Sequence, residues 1–532
     1  MVGYKPFIWP GGVALLLTPG LAIIAVSNLL LTFLRGSDSP VLDTYYLTVL
    51  EFTVTQALLS TLLSVVFALP VTCALARRCQ FLGRNLIITL FGLPLVVPVI
   101  VSVFGVIAIW GHNGLVSEAI TVLGLQPLKP IFGLNGILIT HVFFNMPLVV
   151  RLLLPAWDLI PGESWRTASA TGMTSGAIFR YIELPRIKES LPGISILVFL
   201  LCFTSFTTVL VMGGGPQATT LEVAIYHEIR SNFNVEKAVL LALTQVAVCL
   251  VISLALLQVA ILPEGTATEN RNINRPDGKT LTSQIIDGFW ISVGGFWILA
   301  PLMAIVLKGL GGPLFYVLTN PEVWKSGIRS VMVGLGAGLI AVSIGSLLCL
   351  TTRDIAVRFN KVKLANQLEL IGSQALIISP VVLGIGLFVI LSPWIAVFSY
   401  SLILATFING LITVPFALRF MSPTFRQTLV YHDKLSTSLG LTGWSRIRIL
   451  EIPTIKPVFV TAFAITAAIA TGDLTSVIFF STGREPTLAV MLYQAMGNYR
   501  VDESAAIALL LMVVCLAVYL LIKGVGRVIF RT

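Results

Sequence analysis

Arg166-Thr167-Ala168-Ser169-Ala170-Thr171-Gly172, followed after nine residues by Ile182-Glu183-Leu184-Pro185, returns later in the chain. The second copy reads Lys434-Leu435-Ser436-Thr437-Ser438-Leu439-Gly440, then nine residues, then Leu450-Glu451-Ile452-Pro453. Gly172 and Gly440 lie 268 positions apart, as do Pro185 and Pro453. The same displacement pairs Pro147 with Pro415 and Arg151 with Arg419. After a one-residue slip, Thr220-Leu221 pairs with Thr487-Leu488 and Tyr226 with Tyr493. A displacement kept over so many landmarks marks a duplicated chain.

What surrounds these loops is apolar. Of 532 residues, 56% are hydrophobic and 11% charged. Counting glycine raises the apolar share to about 64%, against the 45–50% of soluble domains, which also carry about 25% charge. A water-soluble fold cannot hide that much apolar surface, so the chain is read as an all-α polytopic membrane protein. A spanning helix needs about 20 mostly apolar residues. Twelve stretches qualify: 11–34, 49–76, 84–110, 131–156, 189–213, 237–262, 284–308, 326–351, 366–391, 394–421, 456–481 and 504–524. With the N-terminus inside, the inner loops hold 25 of the 34 Lys and Arg residues. The positive-inside rule therefore predicts both termini in the cytoplasm and locates the two repeated loops there.

The duplication then gives two six-span repeats running in the same direction, 1–262 and 284–532, joined by a polar cytoplasmic linker at 263–283. Parallel repeats of this kind supply the two walls of a transport pathway. The repeated loops, about 157–188 and 422–455, have their own local logic. Small residues suit a short helix packed closely against another surface. Gly172 and Gly440 offer a position without Cβ where such a helix can end. Pro185 and Pro453 end a following short helix or open the next span. Two such helix–turn–helix elements imply a cytoplasmic partner with two equivalent sockets.

A glycine, nine residues, then Ile-x-Leu-Pro, between the fourth and fifth spans of each half, resembles the EAA loop of ATP-binding-cassette (ABC) importer permeases. Arg166-Thr167-Ala168 and Lys434-Leu435-Ser436 stand where that family opens with Glu-Ala-Ala. The resemblance implies a type I importer permease fold. It makes Arg166, Ala168, Gly172, Ile182 and Pro185, with Lys434, Ser436, Gly440, Leu450 and Pro453, the coupling residues that dock on ATPase subunits. The stretches His141–Pro147, Arg151–Leu154, Ile160–Glu163, Leu201–Phe206 and Gly213–Thr220 are similar to the fused thiamine-carrying branch of the family, a relative of the ferric-iron permeases. That likeness implies passage of thiamine or its phosphates across the bacterial inner membrane. It also implies delivery by a periplasmic binding protein and two copies of a cytoplasmic ATPase that bind ATP and Mg.

The chain itself is expected to carry no cofactor, no metal and no catalytic site. Gly278-Lys279-Thr280 lacks the earlier glycine of a phosphate-binding loop, that position being Ile273, and no strand precedes it. Six Cys and four His show no metal-ligand spacing, and no basic cluster with interleaved aromatics suggests nucleic acid. An ion-coupled carrier would show a paired ion site in broken spans, and a membrane enzyme a convergence of reactive groups. Ferric iron or another small solute remains the alternative cargo.

Polar groups at membrane depth are candidate pathway residues. Asp473 either faces the pathway, favouring a cation such as a thiazolium ring, or pairs locally and fixes the eleventh span. His141 and Asn145 lie one turn apart on the fourth span, for the pathway or for interhelical hydrogen bonding. Gln56, Gln245 and Gln374 are read as packing contacts, and Gly334 to Gly338 as close helix packing. Gly213, Gly214, Gly215, Pro216 and Gln217 form a neutral outer loop that follows a binding protein's contour or simply reverses the chain. Trp110, Trp324, Tyr226 and Tyr493 are interfacial anchors.

Overall fold

A computed structural model describes residues 9–35, 44–112, 114–124, 126, 131–158, 160–259, 276–278, 280–373, 378–439, 441, 445, 447–481 and 483–529. Among them the regular structure is helical, with no strand. Helices α1 (Trp9–Leu15) and α2 (Leu21–Arg35) join through a π-helical turn at Leu16–Gly20 that accommodates Pro19. There follow α3 (Thr44–Arg77), α4 (Arg84–Leu90), α5 (Val99–Trp110), α6 (Leu115–Val122) and α7 (Leu134–Leu153). The first repeated loop holds α8 (Pro155–Asp158), α9 (Gly162–Ala170) and α10 (Ser175–Ile178). Then come α11 (Leu184–Phe203), α12 (Thr207–Met212), α13 (Leu221–Arg230) and α14 (Val235–Val259).

The second sequence half begins with α15 (Leu281–Gly311), α16 (Leu314–Thr319), α17 (Pro321–Val357), α18 (Val362–Gly372) and α19 (Pro380–Leu391). It ends with α20 (Ser401–Ser438), α21 (Ile452–Thr471), α22 (Thr475–Phe480), α23 (Leu488–Gly497) and α24 (Val501–Ile529). The linker at 263–275 and Gln374 lie outside the described residues.

The chain is a multi-pass membrane protein: among the described residues, ten helices are long and apolar enough to cross a bilayer. Several expected spans are shorter or interrupted, for identifiable reasons. Pro94 and Pro98 separate α4 from α5, so 84–110 is not one helix. The stretch 366–391 restarts at Pro380, where the Ser379 hydroxyl accepts the N–H of Val382 at 3.2 Å. In 189–213 the first turns of α11 carry Arg186, Lys188 and Glu189, and the helix stops at Phe203. The fifth apolar segment of each half is in fact broken midway, at Thr204–Phe206 and at Gly472–Leu474.

Two compact units divide the chain. One comprises Met1–Val41, Ala224–Val246 and Gly309–Thr532; the other comprises Leu42–Val223 and Ala247–Lys308. Each takes its first span from the other sequence half. In the former, the N–H of Gly11 on α1 donates to the Thr351 hydroxyl of α17 at 2.8 Å, and a Cβ on Gly386 of α19 would lie 2.6 Å from that of Ala25 on α2. In the latter, a Cβ on Gly105 of α5 would lie 2.8 Å from the Pro301 carbonyl of α15. Lipid tails are as apolar as leucine, so helices associate here through such close backbone contacts. The expected packing of Gly334 and Gly338 follows the same rule: a Cβ at either would overlap or crowd Ala467 and Thr471 of α21.

Candidate functional site

The first repeated loop is built by breaks. Pro155 opens α8, and Pro161 stands immediately before α9. Trp165 and Ala168 are buried, whereas Arg166 is exposed on the other face of α9. The helix ends as the sequence predicts. Gly172 adopts a φ of +63°, and the Met173 N–H donates to the Ala168 carbonyl at 3.0 Å, closing a Schellman turn. The Thr174 side chain then accepts from Ala177 N–H at the start of α10.

The second loop is supported differently. Here α20 runs unbroken through Ser401–Ser438 despite Pro415 and Pro423 inside it. Leu429 and Val430 occupy the positions equivalent to Pro161 and Gly162, which removes the breaker. Ser436, equivalent to Ala168, is buried, and the Leu441 N–H donates to its carbonyl at 2.9 Å. This bond matches that of Met173. Gly440 lies outside the described residues, and Lys434 is in α20 with its side chain not described. On the adjoining helices, Glu369 of α18 accepts from Thr352, Ser422 and Arg426 at 2.8, 2.6 and 2.7 Å.

Both loops rejoin the next span through the same irregularity. Phe179–Glu183 and Ile447–Glu451 are π-helical turns, placing Ile182 and Leu450 within them. Pro185 and Pro453 are the second residues of α11 and α21, the span-opening alternative of the two open in the sequence. A proline lacks the N–H of the helical ladder and its ring crowds the carbonyl four residues back, so the turn before it widens. In the first loop the Leu184 N–H reaches the Phe179 carbonyl.

The acidic residue between these landmarks was quoted in the sequence pattern but not singled out there. Glu183 is 1% exposed and accepts from the Trp157 indole N–H at 2.9 Å. Glu451 is 2% exposed and lies 3.0 Å from the Arg353 guanidinium, which is wholly buried on α17 and 3.5 Å from Asp354. The signal was available: an acid repeated at the common displacement between apolar neighbours and before a proline. Its partners were not, being remote in sequence.

At membrane depth the candidate residues find neighbours within their own units. His141 Nδ1 shares a 2.8 Å hydrogen bond with Ser60 of α3. The Asn145 amide donates to Cys202 Sγ of α11 at 3.1 Å, and the Gln56 amide to the Cys202 carbonyl at 3.0 Å. In the other unit Asn409, equivalent to His141, accepts from the Ser476 hydroxyl at 2.9 Å. Asp473 accepts the Ser476 N–H at 2.9 Å, capping the first turn of α22. Ser205 holds the equivalent place in the first half. His141, Asn145 and Asn409 are all nearly inaccessible.

On the far side of the spans, Gly214 and Gly215 adopt φ values of +69° and +146°. Gly213 precedes them, and Pro216-Gln217-Ala218 forms a short 3₁₀ turn. The Met212 carbonyl accepts the Gly133 N–H at 2.7 Å, tying this loop to the start of α7. Beyond it the repeat is visible again. Leu221 N–H donates to the Thr53 hydroxyl at 3.0 Å, and Leu488 N–H donates to the Ser330 hydroxyl at 2.9 Å. Among the described residues no group of three His, Cys, Asp or Glu is placed to hold a metal.

Comparison with known proteins places this geometry in context. The chain is 39% identical over 480 residues to the thiamine transport system permease protein of Brucella abortus, covering 90% of this chain and 88% of that relative. It is 35% identical over 483 residues to the protein of the same name from Escherichia coli, covering 90% of this chain and 89% of the relative. A shorter stretch of 198 residues, 37% of this chain and 70% of the relative, is 28% identical to a sulfate transport system permease protein of Synechocystis. No family model matches the sequence.

Proposed function

From its membership of the thiamine transport system permease family, we propose that this chain is the fused permease subunit of an ABC importer that moves thiamine or thiamine phosphates. The reading rests on likeness to thiamine permeases along nine-tenths of the chain. It is supported by the loop that each half builds to one plan, with the same backbone bond at Met173 and Leu441, a π turn and a buried glutamate at equivalent positions. The chain lies in the bacterial inner membrane with both termini cytoplasmic, as its distribution of Lys and Arg favours.

Two copies of a separate ATPase, which bind the ATP and Mg, grip α9 with the following turn in one half and the end of α20 in the other. A periplasmic binding protein delivers the cargo near Gly213–Gln217. Nucleotide binding and hydrolysis shift the population between inward-open and outward-open packings. The proline-opened π turns matter because a rigid joint at the base of each span lets a displaced loop tilt the span it precedes. Proteoliposomes containing the chain, its ATPase and its binding protein are expected to accumulate labelled thiamine on ATP addition. Accumulation of ferric iron instead of thiamine, or thiamine uptake with no ATPase bound, would overturn the proposal.

A further inference from the structure

A second candidate site lies at the C-terminal end of the last span, where Pro457 of α21 stands one helical turn beyond Pro453 of the second loop. There α24 packs on α21, and Gly526 allows the approach: any Cβ at that position would overlap Val460. The shallow groove beside this contact has a volume of about 590 Å³ and is lined by Pro457, Val460, Thr461, Lys523, Arg527 and Val528. One wall is apolar; the other carries two cations one helical turn apart. Lys523 Nζ lies 3.1 Å from the Tyr519 hydroxyl, and its ammonium sits 5.4 Å from the centre of the Tyr519 ring. Arg527 is exposed. Among the described residues neither cation pairs with a carboxylate.

We propose that this groove binds the headgroup of an anionic phospholipid. Three observations point to that one occupant. The cations lie at the end of a transmembrane helix, the depth at which lipid phosphates lie. The groove is large enough for a phosphodiester and its glycerol. Its apolar lining of Pro457, Val460 and Val528 continues onto the exposed Val525, a surface for the first methylenes of an acyl chain. Basic pockets between transmembrane helices are suited to such headgroups.

The test uses the full chain purified in detergent and returned to nanodiscs of phosphatidylethanolamine with one-fifth phosphatidylglycerol. Lipid that remains bound after delipidation is measured by mass spectrometry. Enrichment of phosphatidylglycerol over phosphatidylethanolamine is expected, falling about tenfold in Lys523→Gln/Arg527→Gln and persisting in Lys523→Arg/Arg527→Lys. Inorganic phosphate at millimolar concentration is expected not to displace the lipid. Thermal unfolding of the variants checks that they fold. Lipid enrichment unchanged by the double neutral variant, or absent from the wild-type chain, would overturn the proposal. So would complete displacement by inorganic phosphate, or a loss confined to binding of the ATPase subunit.

Discussion

The two repeated loops are alike where they turn and unlike in what holds them. Met173 to Ala168 and Leu441 to Ser436 are the same backbone bond, and each loop enters its next span through a π turn before proline. Behind these features the halves part. One loop is reached through two short helices set off by Pro155 and Pro161, and its buried Glu183 takes a neutral indole donor. The other is the end of a 38-residue helix, and its buried Glu451 faces a buried guanidinium. Under the proposed docking role, a surface that meets identical partners must keep its backbone, whereas its internal supports are free to differ as long as the carboxylate is satisfied. The second half therefore has the stiffer and more electrostatically committed support.

That difference is breakable in steps. The largest effect is expected from Arg353→Met, which leaves Glu451 buried without its cation. Removal of one partner of such a pair costs about 3–5 kcal/mol, and Arg353→Met/Glu451→Leu should recover part of it, Asp354 staying buried where the guanidinium was. Thermal unfolding in detergent reads both. Next is Leu429→Pro, which installs in α20 the break that Pro161 makes in the first half. It is expected to cost about 3 kcal/mol, since Leu429 is buried in a continuous helix. The reciprocal Pro161→Leu/Gly162→Val should leave the melting temperature nearly unchanged while raising helical circular dichroism.

Trp157→Phe removes the indole donor to Glu183 and is expected to cost about 1.5–3 kcal/mol, less than its counterpart in the second half. Equal losses for Trp157→Phe and Arg353→Met would erase the distinction between the two supports. Among the destabilising changes the mildest is expected from Gly172→Val, about 1–2 kcal/mol for a side chain forced into the left-handed region. Its functional effect is larger than its energetic one. Gly172→Val/Gly440→Val should abolish ATP-dependent uptake while the chain still inserts, and normal uptake in that variant would count against the docking role.

Much of this was legible in the sequence because repetition and apolarity are local properties. The common displacement located both loops, and the φ of +63° at Gly172 follows from the need for a residue without Cβ. Span ends were less legible. Apolar runs continue through Pro94, Pro98 and Thr204–Phe206, so hydropathy alone cannot show that the backbone stops being helical there. Conversely, Pro415 and Pro423 are breakers by propensity yet sit inside α20, where neighbouring helices supply the packing. Asp473 exposes a different limit. Its isolation in an apolar run left a pathway role and local pairing both open, and in the structure it accepts the Ser476 N–H just before α22, a contact visible only once the break in the span is known. Arg353 counted merely as a positive charge near a span end until the fold brought Glu451 to it.

The exchange of first spans bears on how the molecule is made. The unit containing Leu42–Val223 also needs Ala247–Lys308, and the unit opened by Met1–Val41 waits for Gly309 onward. Neither can close as the ribosome finishes the first repeat. Residues 9–35 must rest in the lipid, their glycine and alanine contacts unmade, until a partner more than three hundred codons downstream has been threaded through the translocon. Severing the chain at the linker thus would not yield two self-sufficient proteins, but two products each missing the piece that the other carries.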